Sequence, residues 1–259
     1  MHADWLIPDW PAPAGVRAVF TTRAGGLSAA PYDSMNLGDH VGDLPAKVAA
    51  NRALLGQAIG GRAVFLQQVH GSEVLALHAA TDDGLQADAC VTREPGVACT
   101  IMVADCLPVL LASEDGVVVA GAHAGWRGLA GGETGQGVLE SVHAAMNTTV
   151  PVIAWLGPCI GPSAFEVGPE VKAAFDVFQP DAGRLFAPTT LGKYLADLPG
   201  LARLRLKALG VAQVYGNDGG DAWCTVRNPS RFFSHRRDAG PAGNGFGTTG
   251  RMAACIWRD

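Results

Sequence analysis

Between residues 89 and 122 the chain holds four short apolar runs, at 89–92, 97–103, 109–112 and 117–122, separated by Gly, Asp or Pro. Runs of this length, without a helical period and bounded by turn formers, predict strands buried in a core. A buried sheet needs covers, and the flanking sequence supplies them. Apolar spacing predicts helices over 45–59, 133–146, 169–178 and 198–209, the last stopped by Gly210. Further strands are expected at 16–22, 64–68, 73–77, 152–156, 211–215 and 252–257. No fixed-period repeat, charge block or domain-separating linker interrupts this pattern, and 240–250 is the one glycine-containing loop of note. The expectation is one interwoven α+β domain over 1–259, with mixed β-sheets flanked by helices.

With 259 residues, 48% of them hydrophobic, the chain can bury a sizeable core. A formal net charge of −5 gives no general attraction to nucleic-acid phosphates or anionic lipid, so neither is an expected partner. A small anionic substrate would need a local basic site. The first ten residues place no Lys or Arg ahead of an apolar run, unlike a secretory signal, and Asp105, Pro108 and Glu114 break the most apolar stretches short of a membrane span. A cytoplasmic location is the expectation. The six cysteines form no CxxC pair and read as reduced thiols. Cys90, Cys99 and Cys255, inside apolar runs, read as small buried hydrophobes, and Cys159 as a buried cysteine of a tight turn.

Three metal-ligand side chains each fall at the end of an expected core strand: His70, Cys106 and His123. Strand ends are where a rigid sheet presents side chains to a cleft. Two imidazoles and a thiolate suit zinc, and three protein ligands leave a fourth tetrahedral position for water or substrate. His2, His40, His78 and His143 lack such a setting and read as structural or surface histidines.

The words around these residues are distinctive: Thr-Thr-Arg-Ala-Gly-Gly (21–26), Asn-Leu-Gly (36–38), Gln-Val-His-Gly (68–71), Ala-Asp-Cys-Leu-Pro (104–108), His-Ala-Gly-Trp-Arg-Gly (123–128) and Gly-Pro-Cys-Ile-Gly (157–161). In this order the chain resembles the YfiH-like, laccase-domain-containing family from about residue 16 to 257. The resemblance implies zinc at His70, Cys106 and His123, and a mixed α+β fold of two intertwined halves. It also implies purine nucleoside phosphorylase activity, with adenosine deaminase and methylthioadenosine phosphorylase activities in the same site, so that purine nucleosides and phosphate are the expected partners. The chain departs from the family at Ser-His-Arg-Arg (234–237), where His235 replaces the usual Tyr.

Chemistry assigns the neighbours. Asp105, beside Cys106, is a candidate to orient a ligand imidazole or accept a proton, against the alternative of a turn aspartate bonding nearby backbone. Glu73, close behind His70, is a candidate acid/base whose plainer reading is a solvent-facing strand carboxylate. Arg127, in a Gly-flanked turn before an expected helix, is a candidate phosphate ligand, and Arg23, Asn36 and Arg251 are candidate substrate contacts. Three rival readings remain. A metal-free cysteine hydrolase would use Cys106 with His70 or His123. A non-catalytic metal-binding module would close the site with a fourth ligand such as Cys159. A copper-binding polyphenol oxidase fits poorly, because the seven histidines include no His-x-His pair. The His-x-Glu and Pro-Cys-x-x-Cys words of cytidine-type zinc deaminases are absent.

Overall fold

The computed structural model describes residues 1–240 and 245–259. Two mixed sheets form its centre. One has the order β1 (Val16–Phe20), β13 (Met252–Arg258), β5 (Val97–Val103), β2 (Arg62–Phe65). The other has the order β12 (Gln213–Gly216), β8 (Val152–Leu156), β6 (Leu107–Ser113), β7 (Val119–Ala124), β4 (Ala89–Thr92), β3 (Val74–Ala76). The β2–β5, β3–β4 and β8–β12 pairs are parallel and the remaining pairs antiparallel.

The side-chain period of two sorts the strands into layers. Along β5, Val97, Cys99, Ile101 and Val103 face the second sheet, while Ala98 and Met102 pack with α1 (Pro45–Ile59). Along β13, Met252, Ala254 and Ile256 join the inter-sheet layer, and Ala253, Cys255 and Trp257 the α1 layer. In the second sheet, Leu110, Ala112, Val119 and Ile153 turn toward the first, and Val109, Leu111, Ala120 and Ala122 pack with α3 (Val138–Met146) and α5 (Leu198–Ala208). The result is helix, sheet, sheet, helix. The central runs carry no polar alternation because each strand is covered on both faces.

Most expected elements are present with shifted ends. β6 starts at Leu107, two residues before the expected strand, because Pro108 stands at the strand start, where its missing N–H is tolerated and its carbonyl still accepts from Gly157. The helix expected over 133–146 starts at Val138, since the glycines at 131, 132, 135 and 137 shape the preceding segment into tight turns. The turn expected at 125–128 instead opens a five-residue helix, α2 (Trp126–Ala130). A small sheet of β9 (Glu166–Val167), β10 (Phe186–Pro188) and β11 (Tyr194–Ala196), too short to leave a periodic signal, flanks α4 (Pro169–Asp176). A single-turn helix α6 (His235–Asp238) follows Ser234, whose hydroxyl caps it at the Arg237 N–H. No helix among the described residues is long and apolar enough to cross a membrane.

Candidate active site

Of the places where the chain crosses between the two sheets, the β2 to β3 crossing carries His70 and the β5 to β6 crossing carries Cys106. His123, near the end of β7, has the strand parity of the inter-sheet side. The three therefore meet at one end of the inter-sheet layer, their ligand atoms all within 4.8 Å of one another. Cys106 Sγ lies 3.6 Å from His70 Nε2. Nitrogen and sulfur donors around a tetrahedral zinc stand about 3.3–3.6 Å apart, given the usual bond lengths, so the donor set and the Cys106–His70 spacing fit a metal ion of that kind, and the cluster, whose ligand atoms are separated by up to 4.8 Å, would draw in on binding one. No second group of this type is brought together among the described residues.

A residue that the sequence reading passed over organises the cluster. Asp88, 0% exposed, accepts the N–H groups of Val69 (3.1 Å), His70 (2.8 Å) and Gly71 (2.7 Å), and its Oδ1 stands 2.8 Å from His123 Nδ1. It clasps a backbone turn in which His70 has φ +63°, a left-handed conformation that costs a non-glycine residue energy. By occupying Nδ1 it leaves His123 Nε2 for the metal position, the role an outer carboxylate plays behind a ligand imidazole. Burial would raise the Asp88 carboxyl, but His123 and the backbone donors hold it below its ordinary value. The visible clue in the sequence was a lone aspartate within the apolar run Ala87-Asp-Ala-Cys90.

Two glycines allow the approach. A Cβ on Gly125 would stand 2.7 Å from His70 Cδ2 and 3.2 Å from Cys106 Sγ, and one on Gly128 would stand 2.5 Å from the Gly71 carbonyl. Helix α2 is thereby seated directly against the ligand turn.

Burial pushes the Cys106 thiol up, but the His123 and His70 imidazoles more than reverse this and bring it down to about 6. Burial likewise depresses His123, yet the Cys106 thiolate and Asp88 carry it up to about 9. Without metal the cluster thus holds a thiolate against an imidazolium at neutral pH. Cys106 is also the one cysteine that is not fully buried. Metal-free protein should consequently be alkylated by iodoacetamide at Cys106 ahead of the other five cysteines, with a rate that rises through about pH 6, and metal loading should suppress the reaction. Peptide mapping by mass spectrometry reads this directly; modification spread evenly over the cysteines would contradict it.

The cluster forms part of the wall of a cavity of about 460 Å³. Of the residues singled out in the sequence, Asp105, Arg127 and Arg251 line it with the three ligands. Asp105 has φ +100°, and its carboxylate accepts from the Thr225 hydroxyl (2.5 Å) and the Arg236 N–H (2.7 Å). It fixes the wall, while the orienting of an imidazole falls to Asp88. Arg127 lies within α2, stacked 4.4 Å over Trp126, and makes no ion pair among the described residues. Burial lowers the Arg251 guanidinium, while Cys106 and Asp105 act to hold it protonated.

Glu73, Arg23 and Asn36 do not line this cavity. Glu73 is exposed, and its carbonyl accepts the Asp88 and Ala89 N–H groups. The Arg23 guanidinium is spent on Asp33 and the Pro229 carbonyl and stacks on Phe233. Asn36, fully buried, joins Gly38, Asp43 and the Arg251 N–H, so it supports a cavity residue from behind. Cys159 is buried beside Cys224 and accepts from Asn217, outside the metal-ligand group. His40, read as a structural or surface histidine and exposed in the structure, also borders the cavity, as do His235, Arg236, Trp126 and Phe165. They come from loops and short helices whose placement no local pattern announces.

Residues 17–259 match the family described as multi-copper polyphenol oxidoreductase laccase. A purine nucleoside phosphorylase of Pseudomonas aeruginosa is 48% identical, covering 98% of both chains, and purine nucleoside phosphorylase YfiH of Escherichia coli is 45% identical, covering 97% of this chain and 98% of its own. Among solved structures, a Neisseria meningitidis protein of family DUF152 superposes with a TM-score of 0.89 at 47% identity over 99% of both chains. YlmD of Geobacillus stearothermophilus superposes with a TM-score of 0.87 at 32% identity, over 100% of this chain and 97% of its own.

Proposed function

The chain belongs to the YfiH-like family whose domain is described as multi-copper polyphenol oxidoreductase laccase, and we propose that it is a cytoplasmic zinc-dependent purine nucleoside phosphorylase acting on adenosine, inosine and methylthioadenosine, with adenosine deaminase activity. The observation that carries the reading is one cavity lined by a His-Cys-His cluster together with Arg127, Arg236 and Arg251 and the aromatic Trp126 and Phe165. Its volume of about 460 Å³ falls in the range of roughly 300–1,000 Å³ usual for small-molecule sites.

His70, Cys106 and His123 would hold the zinc, which supplies Lewis acidity at neutral pH. Arg127, with Arg236 and Arg251, whose Nη1 groups also donate to the Glu166 carbonyl and to the Thr249 and Gly250 carbonyls, would supply the local cationic site that an overall acidic protein needs for phosphate. The flat faces of Trp126 and Phe165 suit a purine, and the apolar Ile160 and Leu198 suit the methylthio end of methylthioadenosine. In phosphorolysis a phosphate oxygen bonds to the sugar's anomeric carbon, the carbon–nitrogen bond breaks, and its electron pair leaves with the base. The base takes up one proton, which hydrogen phosphate supplies. In deamination water replaces the amino group of adenosine and ammonia leaves. Asp105, with both oxygens engaged, holds the Arg236 backbone in place for the first reaction, and Glu73 lies outside the cavity.

Chromatography of adenosine and inosine reactions tests this. Free base released only with phosphate present, and inosine formed from adenosine without it, are the expected outcomes; neither product from zinc-loaded protein would reject the reading. Arg127→Ala should raise the phosphate KM about tenfold or more, a charge-assisted contact being worth about 1.5–3 kcal/mol, and leave the nucleoside KM nearly unchanged. A phosphate KM equal to that of the parent would remove Arg127 from the phosphate site.

One observation favours a second reading. Cys106, His123 and Asp88 also form a thiolate, imidazole and carboxylate series of the kind used for nucleophilic catalysis. A metal-free hydrolase would gain activity on chelation, whereas the zinc enzyme loses it. The many-histidine cluster of a copper oxidase has no counterpart among the described residues.

A further inference from the structure

Helix α2 has only five residues, and isolated helices so short do not hold their shape in water. It is followed by Gly131, Gly132 and Gly135, all with positive φ, and by Gly137, so the chain beyond it contributes little stiffness. Yet α2 carries Trp126 and Arg127 into the cavity and sits against the His70 turn. Something else must fix it. At its C-terminal end lies Arg205 of α5, 2% exposed and 75 residues further along the chain. Its Nη2 donates to the Ala130 carbonyl (2.8 Å), the last residue of α2, and its Nη1 to the Gly135 carbonyl (2.9 Å) and to Glu140 Oε1 (2.9 Å). The other Glu140 oxygen accepts the Gly137 N–H (2.8 Å) at the start of α3.

A cation at a helix C-terminus satisfies carbonyls that lack an intrahelical partner and complements the helix dipole. Here a single guanidinium does so while tying the glycine turn to α3. A planar fork reaches three acceptors at once, which an ammonium on a lysine stem does not match. Arg205 does not line the cavity, so it acts on the reaction only indirectly, and α2, whose last carbonyl it holds, is the element it binds that carries Trp126 and Arg127 into the cavity.

We propose that Arg205 is a positioning residue, locking α2 from behind so that Arg127 is held ready for phosphate beside the metal cluster. The inference rests on the phosphorylase reading for its kinetic consequence, though the lock itself can be measured without it.

The test compares Arg205→Met, Arg205→Lys and the parent, each loaded with zinc and confirmed folded by thermal melting. Hydrogen exchange should rise selectively over residues 126–137 in Arg205→Met while the central strands stay protected. The phosphate KM should rise about tenfold, the nucleoside KM should move less than twofold, and zinc content should stay at the parent value. Arg205→Lys should fall between the two. Should Arg205→Met prove too unstable, Glu140→Gln, which weakens the same lock from the other side, should give the same selective pattern in smaller measure. Unchanged exchange over 126–137 in a folded variant would overturn the proposal, as would an equal rise in both KM values. If the parent itself released no base with phosphate, the phosphorylase reading would fall, and the exchange experiment would still decide whether Arg205 locks α2.

Discussion

Replacing Cys106 by alanine is expected to leave purified protein with little bound zinc and to lower both phosphorolysis and deamination by at least about a hundredfold. The size follows from the ligand count. A three-ligand site that loses its thiolate retains two neutral imidazoles, and removal of an outer partner alone usually costs 10–100-fold in affinity or activity. The loss of a direct ligand should exceed that. Cys106 lies in the crossing from β5 to β6 and is partly exposed to the cavity, so alanine there removes little packing. The chain should still fold, which near-ultraviolet circular dichroism would establish. Elemental analysis beside the two product assays gives the result. A full zinc equivalent in the alanine variant would end the metal assignment, and full activity in a zinc-free variant would end the metal-dependent mechanism.

The sequence was readable where a residue's role is written in its neighbours. The strands 97–103 and 152–156 stand where their apolar runs put them, because burial on both faces leaves an unbroken hydrophobic word, and the helix 45–59 stands where its one-sided apolar spacing, with Val48, Leu55 and Ile59 buried, put it. His70, Cys106 and His123 could be paired with strand ends in the same way, and the structure brings them together. The layers could not be read, because nothing local says that β5 and β6, four residues apart, belong to different sheets. Cavity residues such as Phe165, Arg236 and His40 follow from that hidden topology. Arg23 and Asn36 lie in equally distinctive words, yet their side chains are consumed by backbone and neighbouring side chains. A distinctive word marks a constrained residue, and both a ligand and a loop clasp are constrained. Asp88 was missed for the opposite reason: its word is apolar and ordinary, and its partners at 69–71 and 123 lie far away in sequence.

Asp88→Asn should show how much the cluster depends on that carboxylate. All four of its partners are donors: the N–H groups of Val69, His70 and Gly71, and Nδ1 of His123. Asparagine offers one acceptor oxygen in place of two and turns an NH₂ group toward the remaining donors. The Val69 and Gly71 N–H groups share Oδ2, so an amide nitrogen there opposes two donors; placed at Oδ1, it opposes the His70 N–H and His123. An unsatisfied buried donor costs about 1–3 kcal/mol, so a stability loss of about 2–4 kcal/mol is expected, together with a 10–100-fold fall in zinc affinity. The pH dependence has a definite sign. The Asp88 carboxyl is held below its ordinary value in the folded chain, so its contribution is complete at neutral pH and is lost as pH falls below about 4 toward the folded value. Denaturant unfolding of the metal-free proteins should therefore show the variant less stable at pH 7, with the gap narrowing as the pH falls below about 4. An asparagine variant with parental zinc affinity, or a gap that stays constant down through that range, would show that Asp88 neither orients His123 nor holds the His70 turn by its charge.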